Sequence, residues 1–241
     1  MKTYDKTSLS PMSILLTGPP GGGKTTFALQ WPGLWVADCD GNLDGPVRWL
    51  QKKSLFTPFK FDAIAKNDKG TPLLTNEQWP LLKQRTVLAC ADDTIQTIFI
   101  DSLTHIDRIL QDWILVSQKT NDMSFPQWNA FRSELYKYLA AIKSSGKTVI
   151  VACHEKIEYG SDFKLEKYVP AVSTNLKDYF GYLFTDVWRC EIRPAGAGSV
   201  EAHIRVLPTQ YSDLKNSILL VDKQIKATYT DVAKALKDLS K

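Results

Sequence analysis

The 241-residue chain lacks long apolar runs and paired cysteines. No segment approaches the roughly 18 apolar residues that a membrane-spanning helix needs. The basic start of the chain, Met1–Thr7, has no apolar run after it, which argues against a secretory signal peptide. The four cysteines lie far apart with no CxxC pair, which argues against a zinc site or disulfide framework and favours buried thiols in a cytoplasmic protein: Cys39, Cys90, Cys153 and Cys190.

Charge of one sign is also scarce, because 30 Lys and Arg residues face 26 Asp and Glu residues, for a net charge of +4. This mild excess permits a polyanionic partner without requiring one. The chain has 13 glycines and 12 prolines, and 44% of its residues are hydrophobic, so collagen-like, disordered and coiled-coil classes are excluded. The length suits one large α/β domain.

Apolar strand-like segments alternate with helical segments, which predicts a mainly parallel sheet flanked by helices. The predicted parallel strands are 13–17, 34–37, 97–100 and 148–153. Two later strands, Asp186–Arg193 and Val200–Leu207, are joined by a Gly/Pro turn and should form an antiparallel edge near the C-terminus. We expect one domain over 1–241, with its core at about 13–207 and a C-terminal extension over 208–241.

Several helices and turns are also predicted. Thr75 should cap a helix over Asn76–Ala91 and Thr230 the last helix of the chain. The first of these helices should turn four apolar residues to the core: Leu81, Leu82, Val87 and Leu88. Lys156–Tyr159 and Phe163–Tyr168 alternate as a hairpin or mobile loop would, and a helix is expected near Asn175–Phe184.

A glycine-rich turn follows the first strand. Its sequence, Gly18-Pro-Pro-Gly-Gly-Gly-Lys-Thr25, fits the P-loop pattern GxxxxGK[ST] between a strand and a helix; the alternative is an ordinary glycine turn. Glycine lets backbone N–H groups approach phosphate oxygens closely, with help from the following helix N-terminus. Lys24 should reach the β- and γ-phosphates of ATP, and the Thr25 hydroxyl should bind Mg²⁺. The predicted nucleotide-binding residues are Gly18, Pro19, Pro20, Gly21, Gly22, Gly23, Lys24, Thr25 and Thr26.

Acidic residues end two of the predicted strands. Ile98–Asp101 has the Walker B form, so Asp101 is the expected second Mg²⁺ ligand, although an Asp in this place can also be a turn residue. No Glu follows Asp101 to activate water. Asp38 and Asp40 are two positions apart and should point the same way, towards the site, or else they cap the turn at Gly41-Asn42.

The strongest β segment ends at His154, a place where a residue can contact the γ-phosphate. A structural histidine is the alternative at this position. If it serves the reaction, His154 acts beside Lys24 and Asp40 as a catalytic residue.

Taken in order, these motifs resemble the core of RecA-type ATPases over about Ser13–Leu207, and are similar to short phage-encoded nucleotide-binding ATPases that serve in single-strand annealing or recombination. The resemblance implies a RecA-like P-loop sheet, and it places Asp40 where a Glu activates water in the family. It makes His154 the γ-phosphate sensor and Glu155–Val172 a mobile DNA-binding loop with three cations: Lys156, Lys164 and Lys167. Lys215, with Arg205 as a weaker candidate, would be the cation that reaches the ATP of a neighbouring subunit.

The resemblance further implies an Mg-ATP-dependent protein that hydrolyses ATP slowly, stimulated by single-stranded DNA, and promotes annealing or strand exchange. Its partners would be single-stranded DNA, further copies of itself in a ring or filament, and a single-strand-binding protein, in the cytoplasm of a bacterial host and without a membrane. From the residues alone, four acidic residues nearly cancel the charge of the loop, and a solvated hairpin is the alternative: Glu155, Glu158, Asp162 and Glu166. Two other functions stay open, a small-molecule P-loop kinase and a nucleotide-gated binding module with little hydrolysis.

Overall fold

The computed structural model describes residues 11–161, 164–173, 180–196, 199–210, 212–216 and 224–238. Within these residues the strands are β1 (Ser13–Thr17), β2 (Leu34–Asp38), β3 (Lys60–Ala63), β4 (Thr97–Asp101), β5 (Thr148–Ala152), β6 (Glu155–Tyr159), β7 (Leu165–Pro170), β8 (Asp186–Pro194), β9 (Val200–Arg205) and β10 (Ile225–Lys226). The helices are α1 (Lys24–Ala28), α2 (Asp44–Lys52), α3 (Thr75–Ala91), α4 (Leu103–Gln118), α5 (Phe125–Lys143), α6 (Phe180–Leu183) and α7 (Tyr229–Asp238). None of the helices in the described residues has the length and apolarity required to cross a bilayer.

Eight of the described strands form one sheet, in the order β10-β9-β8-β1-β5-β4-β2-β3. The six strands from β8 to β3 are parallel, and β9 and β10 join antiparallel at the opposite edge from β3. The fold is therefore the predicted α/β class, a mainly parallel RecA-like P-loop sheet with antiparallel edge strands near the C-terminus. Because β1, β5 and β4 are parallel neighbours, their carboxyl ends meet at one rim, where ligands bind in open α/β sheets.

Helices cover both faces of the sheet. On one face α3, α4 and α5 pack Trp79, Ile106 and Phe131 against the strands, and on the other α1 and α7 contribute Phe27 and Val232. Every residue of β1, β2 and β4 is buried, as expected for parallel strands covered on both sides. Full burial of each large apolar side chain contributes about 1.5–3 kcal/mol, so these two layers hold the rim in place.

Two predicted details of the helices are wrong. In α3 the core-facing stripe includes Trp79 and Thr86 along with the predicted Leu82, whereas Val87 and Leu88 lie off this stripe and are exposed. Leu74, not Thr75, is the N-cap of this helix, and its backbone N–H donates to the Glu77 carboxylate at 2.9 Å. The spacing of apolar residues does not by itself show which face of α3 is buried, and Trp79 lies on the buried face.

The final helix also begins differently from the prediction. Thr228, rather than Thr230, accepts the backbone N–H of Asp231 at 3.1 Å through its hydroxyl and caps α7. Strand β10 and helix α7 add to the same sheet and core as the rest of the chain, and the division at residue 207 stays a prediction.

Strands β6 and β7 form a separate antiparallel hairpin, one of the two alternatives predicted for this segment. Its base is tied down: the backbone N–H of Ala171 donates to the His154 carbonyl at 2.7 Å, and that of Ser173 donates to the Asp107 carboxylate at 3.1 Å. Phe163 and residues 174–179, which include half of the helix predicted near Asn175–Phe184, lie outside the described residues. The hairpin therefore emerges from the rim of the sheet directly after His154.

Candidate nucleotide site

The predicted P-loop joins β1 to α1 with a backbone that requires glycine. Gly21 and Gly23 have φ values of 74° and 93°, in the left-handed region that residues with a Cβ seldom adopt. A Cβ on Gly18 would lie 2.4 Å from the Cys190 carbonyl oxygen of β8, so only glycine fits against this strand. The loop is held open between the sheet and α1, with space on its outer side for phosphates.

Lys24 closes over this loop. Its Nζ donates to the carbonyl oxygens of Gly18 and Pro19, at 2.8 and 2.9 Å. Burial lowers the pKa of Lys24, against the attraction of nearby groups that include Asp101. The charged phosphate oxygens of a nucleotide can therefore take the place of these two neutral carbonyl acceptors.

Thr25 and Asp101 meet at the predicted metal position. The Thr25 hydroxyl donates to Asp101 Oδ2 at 2.6 Å, across 76 residues of sequence. Asp101 is 4% exposed, and burial raises its pKa to about 6. A hydroxyl and a buried carboxylate are oxygen ligands of the kind that Mg²⁺ prefers, so these two residues fit the ion that the P-loop implies.

Asp40 lies at the end of β2, next to Asp101. Its carboxylate accepts hydrogen bonds from the Ser102 hydroxyl at 3.2 Å and pairs with His154 Nε2 at 3.3 Å. Burial alone would raise the pKa of Asp40, but the bonds from His154 and Ser102 outweigh it, and the pKa lies below its usual value. Asp40 is thus an ionised carboxylate on the rim, beside the metal position.

Asp38 has different surroundings from Asp40. Its Oδ1 accepts the backbone N–H of Gly41 at 2.8 Å, which is the turn-capping arrangement considered as the alternative, and burial raises its pKa. Asp40 lines the cavity around the P-loop, whereas Asp38 lines a neighbouring cavity. Of the two carboxylates, the geometry favours Asp40 as the group next to the γ-phosphate.

His154 faces the same cavity as Asp40. Its backbone N–H donates to the Thr104 hydroxyl of α4 at 3.0 Å, and its Nδ1 is buried without a hydrogen-bond partner among the described residues. A buried ring nitrogen with no partner is costly unless a ligand or water supplies one. His154 therefore connects the nucleotide cavity to α4 and to the hairpin that follows it.

The nucleotide cavity encloses about 320 Å³. It brings together most of the predicted nucleotide-binding residues with Asp40, Asp101 and His154, which lie far apart in the sequence. Two further residues were not anticipated, Asn42 and Pro46. The cavity is lined by Pro20, Gly21, Gly22, Gly23, Lys24, Thr25, Thr26, Asp40, Asn42, Pro46, Asp101 and His154.

Sequence analysis also missed two residues behind Asp40. His105 Nδ1 lies 3.6 Å from Asp40 Oδ1, and His105 Nε2 lies 3.0 Å from Gln78 Oε1. Burial lowers the pKa of His105. The position of His105, four residues after Asp101 in the first turn of α4, was a signal that could have found it. Gln78 comes from α3 and gives no local signal.

The predicted DNA-binding and trans-acting cations lie away from the nucleotide cavity. Lys156, Lys164 and Lys167 are on the hairpin, and Lys167 forms an ion pair with Asp213 at 2.6 Å. Lys215 donates to the Phe184 carbonyl of its own chain at 3.0 Å. Their roles towards DNA and a neighbouring subunit stay predictions. Arg205, the weaker candidate, pairs with Glu191 at 3.2 Å.

Arg189 joins the hairpin to the strand beside the P-loop. From β8, its guanidinium donates to both carboxylate oxygens of Glu155, at 2.9 and 2.5 Å, and stacks 4.2 Å from the centre of the Tyr168 ring. Glu155 belongs to β6 and Tyr168 to β7, so one arginine holds both hairpin strands. Its neighbour in β8, Cys190, abuts Gly18. The base of the hairpin is therefore in contact with the wall of the nucleotide site.

Three features define a P-loop ATPase core of the AAA/RecA-like type. They are a P-loop with Lys24 folded over it, a Thr25–Asp101 pair at the metal position, and a parallel sheet with β5 between β1 and β4. The chain belongs to the AAA domain family, whose sequence model matches residues 10–218. A KaiC-like protein of the hyperthermophilic archaeon Pyrococcus horikoshii OT3 is a similar solved structure, with 15% identity and a TM-score of 0.49 over 90% of this chain and 85% of that one. No curated protein matches the chain.

Proposed function

We propose that this protein is an Mg-ATP-dependent ATPase that binds single-stranded DNA and promotes annealing or strand exchange in phage homologous recombination. The observation that carries the ATPase part is the Thr25–Asp101 hydrogen bond of 2.6 Å beside Lys24, since it joins the two halves of an ATP site from distant parts of the chain. The recombination part rests on the resemblance of the ordered motifs to phage-encoded annealing and recombination ATPases.

The site residues would divide the reaction among them. Lys24 would leave the Gly18 and Pro19 carbonyls for the β- and γ-phosphates, and backbone N–H groups of the loop would hold the remaining oxygens. Thr25 and Asp101 would hold Mg²⁺, which neutralises phosphate charge. Asp40 would accept a proton from the attacking water as its oxygen bonds to the γ-phosphorus and the bond to ADP breaks.

Asp40 is one methylene shorter than the Glu that stands at this position in RecA-type proteins, and its carboxylate is already engaged by Ser102 and His154. Both features support slow hydrolysis. A nucleotide-gated binding module that scarcely hydrolyses ATP is the second candidate, and the same two features favour it.

The connection from site to DNA would run through the base of the hairpin. His154 lines the nucleotide cavity and its carbonyl accepts the Ala171 N–H of the hairpin base, whereas Arg189 holds Glu155 and is followed by Cys190, which abuts Gly18. A nucleotide that displaces His154 or the strand at Cys190 would therefore shift the loop that carries Lys156, Lys164 and Lys167. Assembly into a ring or filament and exchange with a single-strand-binding protein are proposed on the resemblance to the phage-encoded ATPases alone.

Phosphate release from ATP, measured with and without single-stranded DNA, tests the proposal. We expect slow turnover that DNA stimulates severalfold, and none in Lys24→Ala. Binding of DNA that needs ATP but proceeds equally with a non-hydrolysable analogue, without phosphate release, would support the gated module. Turnover that rises only with a small phosphate acceptor would contradict both and support a kinase.

A further inference from the structure

A second cavity of about 500 Å³ lies beside the nucleotide cavity, next to the edge strand β3. The segment 38–47 is the wall between the two cavities. Its residues alternate: Asp40, Asn42 and Pro46 line the nucleotide side, whereas the second cavity is lined by Asp38, Gly41, Leu43, Asp44 and Val47. Whatever occupies the second cavity therefore touches the segment that carries Asp40.

Aromatic rings form much of the lining of the second cavity. The rings of Phe56, Phe59 and Phe61 follow one another with centroids 6.1 and 6.3 Å apart. Phe61 is 57% exposed, although it belongs to a strand of the main sheet. An exposed ring at the mouth of a cavity offers a face on which a nucleobase can stack.

Hydrogen-bond acceptors accompany these rings. Asp38 and Asp44 line the cavity, and neither forms an ion pair with any described cation. Carboxylate oxygens accept hydrogen bonds from the amino groups of bases. Lys66 is the cation in the lining and can contact a phosphate. Rings, acceptors and one cation together match a base with its phosphate.

The segment 48–69, which supplies all three phenylalanines and Lys66 of the lining, is basic. The segment 48–69 contains six Lys and Arg residues and two Asp residues. Among the described residues only Lys60 of these six makes an ion pair with a residue outside the segment, with Asp92 at 2.7 Å, and Arg48, Lys52, Lys53 and Lys66 are exposed. A polyanionic backbone fits this rim, while a small organic cation would be repelled by it.

We propose that an amino-bearing base of single-stranded DNA enters this cavity and stacks on Phe61, with the backbone of the strand following the cations of segment 48–69. The proposal rests on the DNA binding proposed above and gives it a place distinct from the hairpin. Because segment 38–47 also carries Asp40, DNA bound here adjoins the ATP site directly.

Fluorescence anisotropy of a labelled oligonucleotide with the full chain and Mg-ATP tests this placement. Phe61→Ser should weaken binding at least fivefold, because stacking on one aromatic ring contributes that much or more. Replacing Lys52 and Lys53 by Gln should lower the slope of log K against log salt by about 1. Two matched controls lie elsewhere and should stay within twofold of the wild type in affinity: exposed apolar Val87→Ser, and the double Gln variant at the exposed Lys137 and Lys143 of α5.

An oligomer of abasic deoxyribose phosphates separates base from backbone. Its binding should be weaker than that of the normal strand and indifferent to Phe61→Ser, while still sensitive to the Lys52 and Lys53 variant. Deoxyguanosine monophosphate, titrated alone, should bind far more weakly than the strand; equal affinity would make the cavity a free-nucleotide pocket and overturn the strand assignment.

The outcomes also separate this inference from the proposed function. If the wild-type protein binds no single-stranded DNA, the proposed DNA-binding function and the placement of DNA in this cavity are both overturned. If the protein binds DNA, and neither Phe61→Ser nor the Lys52 and Lys53 variant changes that binding while a double Gln variant at Lys164 and Lys167 weakens it, only the placement is overturned. Each variant is checked for unchanged ATP affinity, which neither idea expects to move.

Discussion

The hairpin 155–170 and the edge segment 48–69 both interleave lysines with aromatic residues, but their charged residues differ in the ion pairs that they form. In the hairpin, Lys167 pairs with Asp213 and Glu155 with Arg189, at 2.6 and 2.5 Å. In the edge segment, Lys60 alone among the described residues pairs with an acid from elsewhere in the chain. A local pattern of cations therefore does not show which of them are available to a ligand.

The two regions also differ in how firmly they are attached. The Arg189–Glu155 pair is mostly buried, with 12% and 5% of the side chains exposed, whereas the Lys60–Asp92 pair is on the surface. The hairpin base is consequently fixed to the rim of the sheet, and the edge segment leaves a cavity open. The nucleotide site adjoins the second cavity through segment 38–47 and the hairpin base through His154.

Loss of Lys24 should have the largest effect, because it removes the site that both regions adjoin. We expect Lys24→Ala to weaken ATP binding by about 100-fold or more, since charge-assisted bonds to phosphate are lost. Isothermal titration with Mg-ATP measures this, with the exposed Lys137→Ala as control. Far-UV circular dichroism should show that the fold is retained, and full ATP affinity in Lys24→Ala would refute the assignment.

The next largest difference should be between Asp38 and Asp40, which lie on opposite sides of the wall between the two cavities. Asp40→Asn should lower the ATP turnover rate about 100-fold or more with ATP affinity retained, because a general base is removed. Asp38→Asn, the matched change on the other side of the wall, should leave turnover within a few-fold of the wild type. Equal losses in the two variants, measured by phosphate release, would contradict the separation.

The difference in attachment can be measured as stability. Arg189→Leu leaves the buried Glu155 carboxylate unpaired and should lower the free energy of unfolding by about 3 kcal/mol. Lys60→Ala removes an exposed pair and should not shift the thermal midpoint measurably. Urea and thermal unfolding of both variants provide the test, and similar small effects in both would show that the hairpin is not anchored by Arg189.

The last effect concerns the buried Asp101, whose pKa is raised to about 6 by burial and which acts only over a window of pH. Without Mg²⁺, the folded protein binds more protons than the unfolded chain between about pH 4 and 6, so the unfolding free energy falls as pH rises through that window. Asp101→Asn should remove this slope, which is worth at most about 3 kcal/mol. The exposed Asp122→Asn should keep it, and identical pH profiles for both variants would contradict the burial argument.

Most residues of the candidate site could be predicted from the sequence, because they belong to short contiguous motifs and strands. The strand, glycine turn and Lys24-Thr25 stand together in the chain, and Asp101 and His154 each end an apolar segment, so their meeting follows from parallel strand order. The sequence did not predict that Asp40 lines the nucleotide cavity while Asp38 caps the turn, because this depends on how the turn at Gly41 folds. Gln78 and Asp213 were missed because each acts through a contact distant in sequence.

The central claim is that Lys24, Thr25 and Asp101 hold a nucleotide with its magnesium ion. Equilibrium titration of the wild-type chain with ATP, in Mg²⁺ and again in excess chelator, tests it most directly. The account predicts saturable one-to-one binding that weakens at least tenfold when Mg²⁺ is removed. Absence of binding, or binding of equal strength in both conditions, would contradict it.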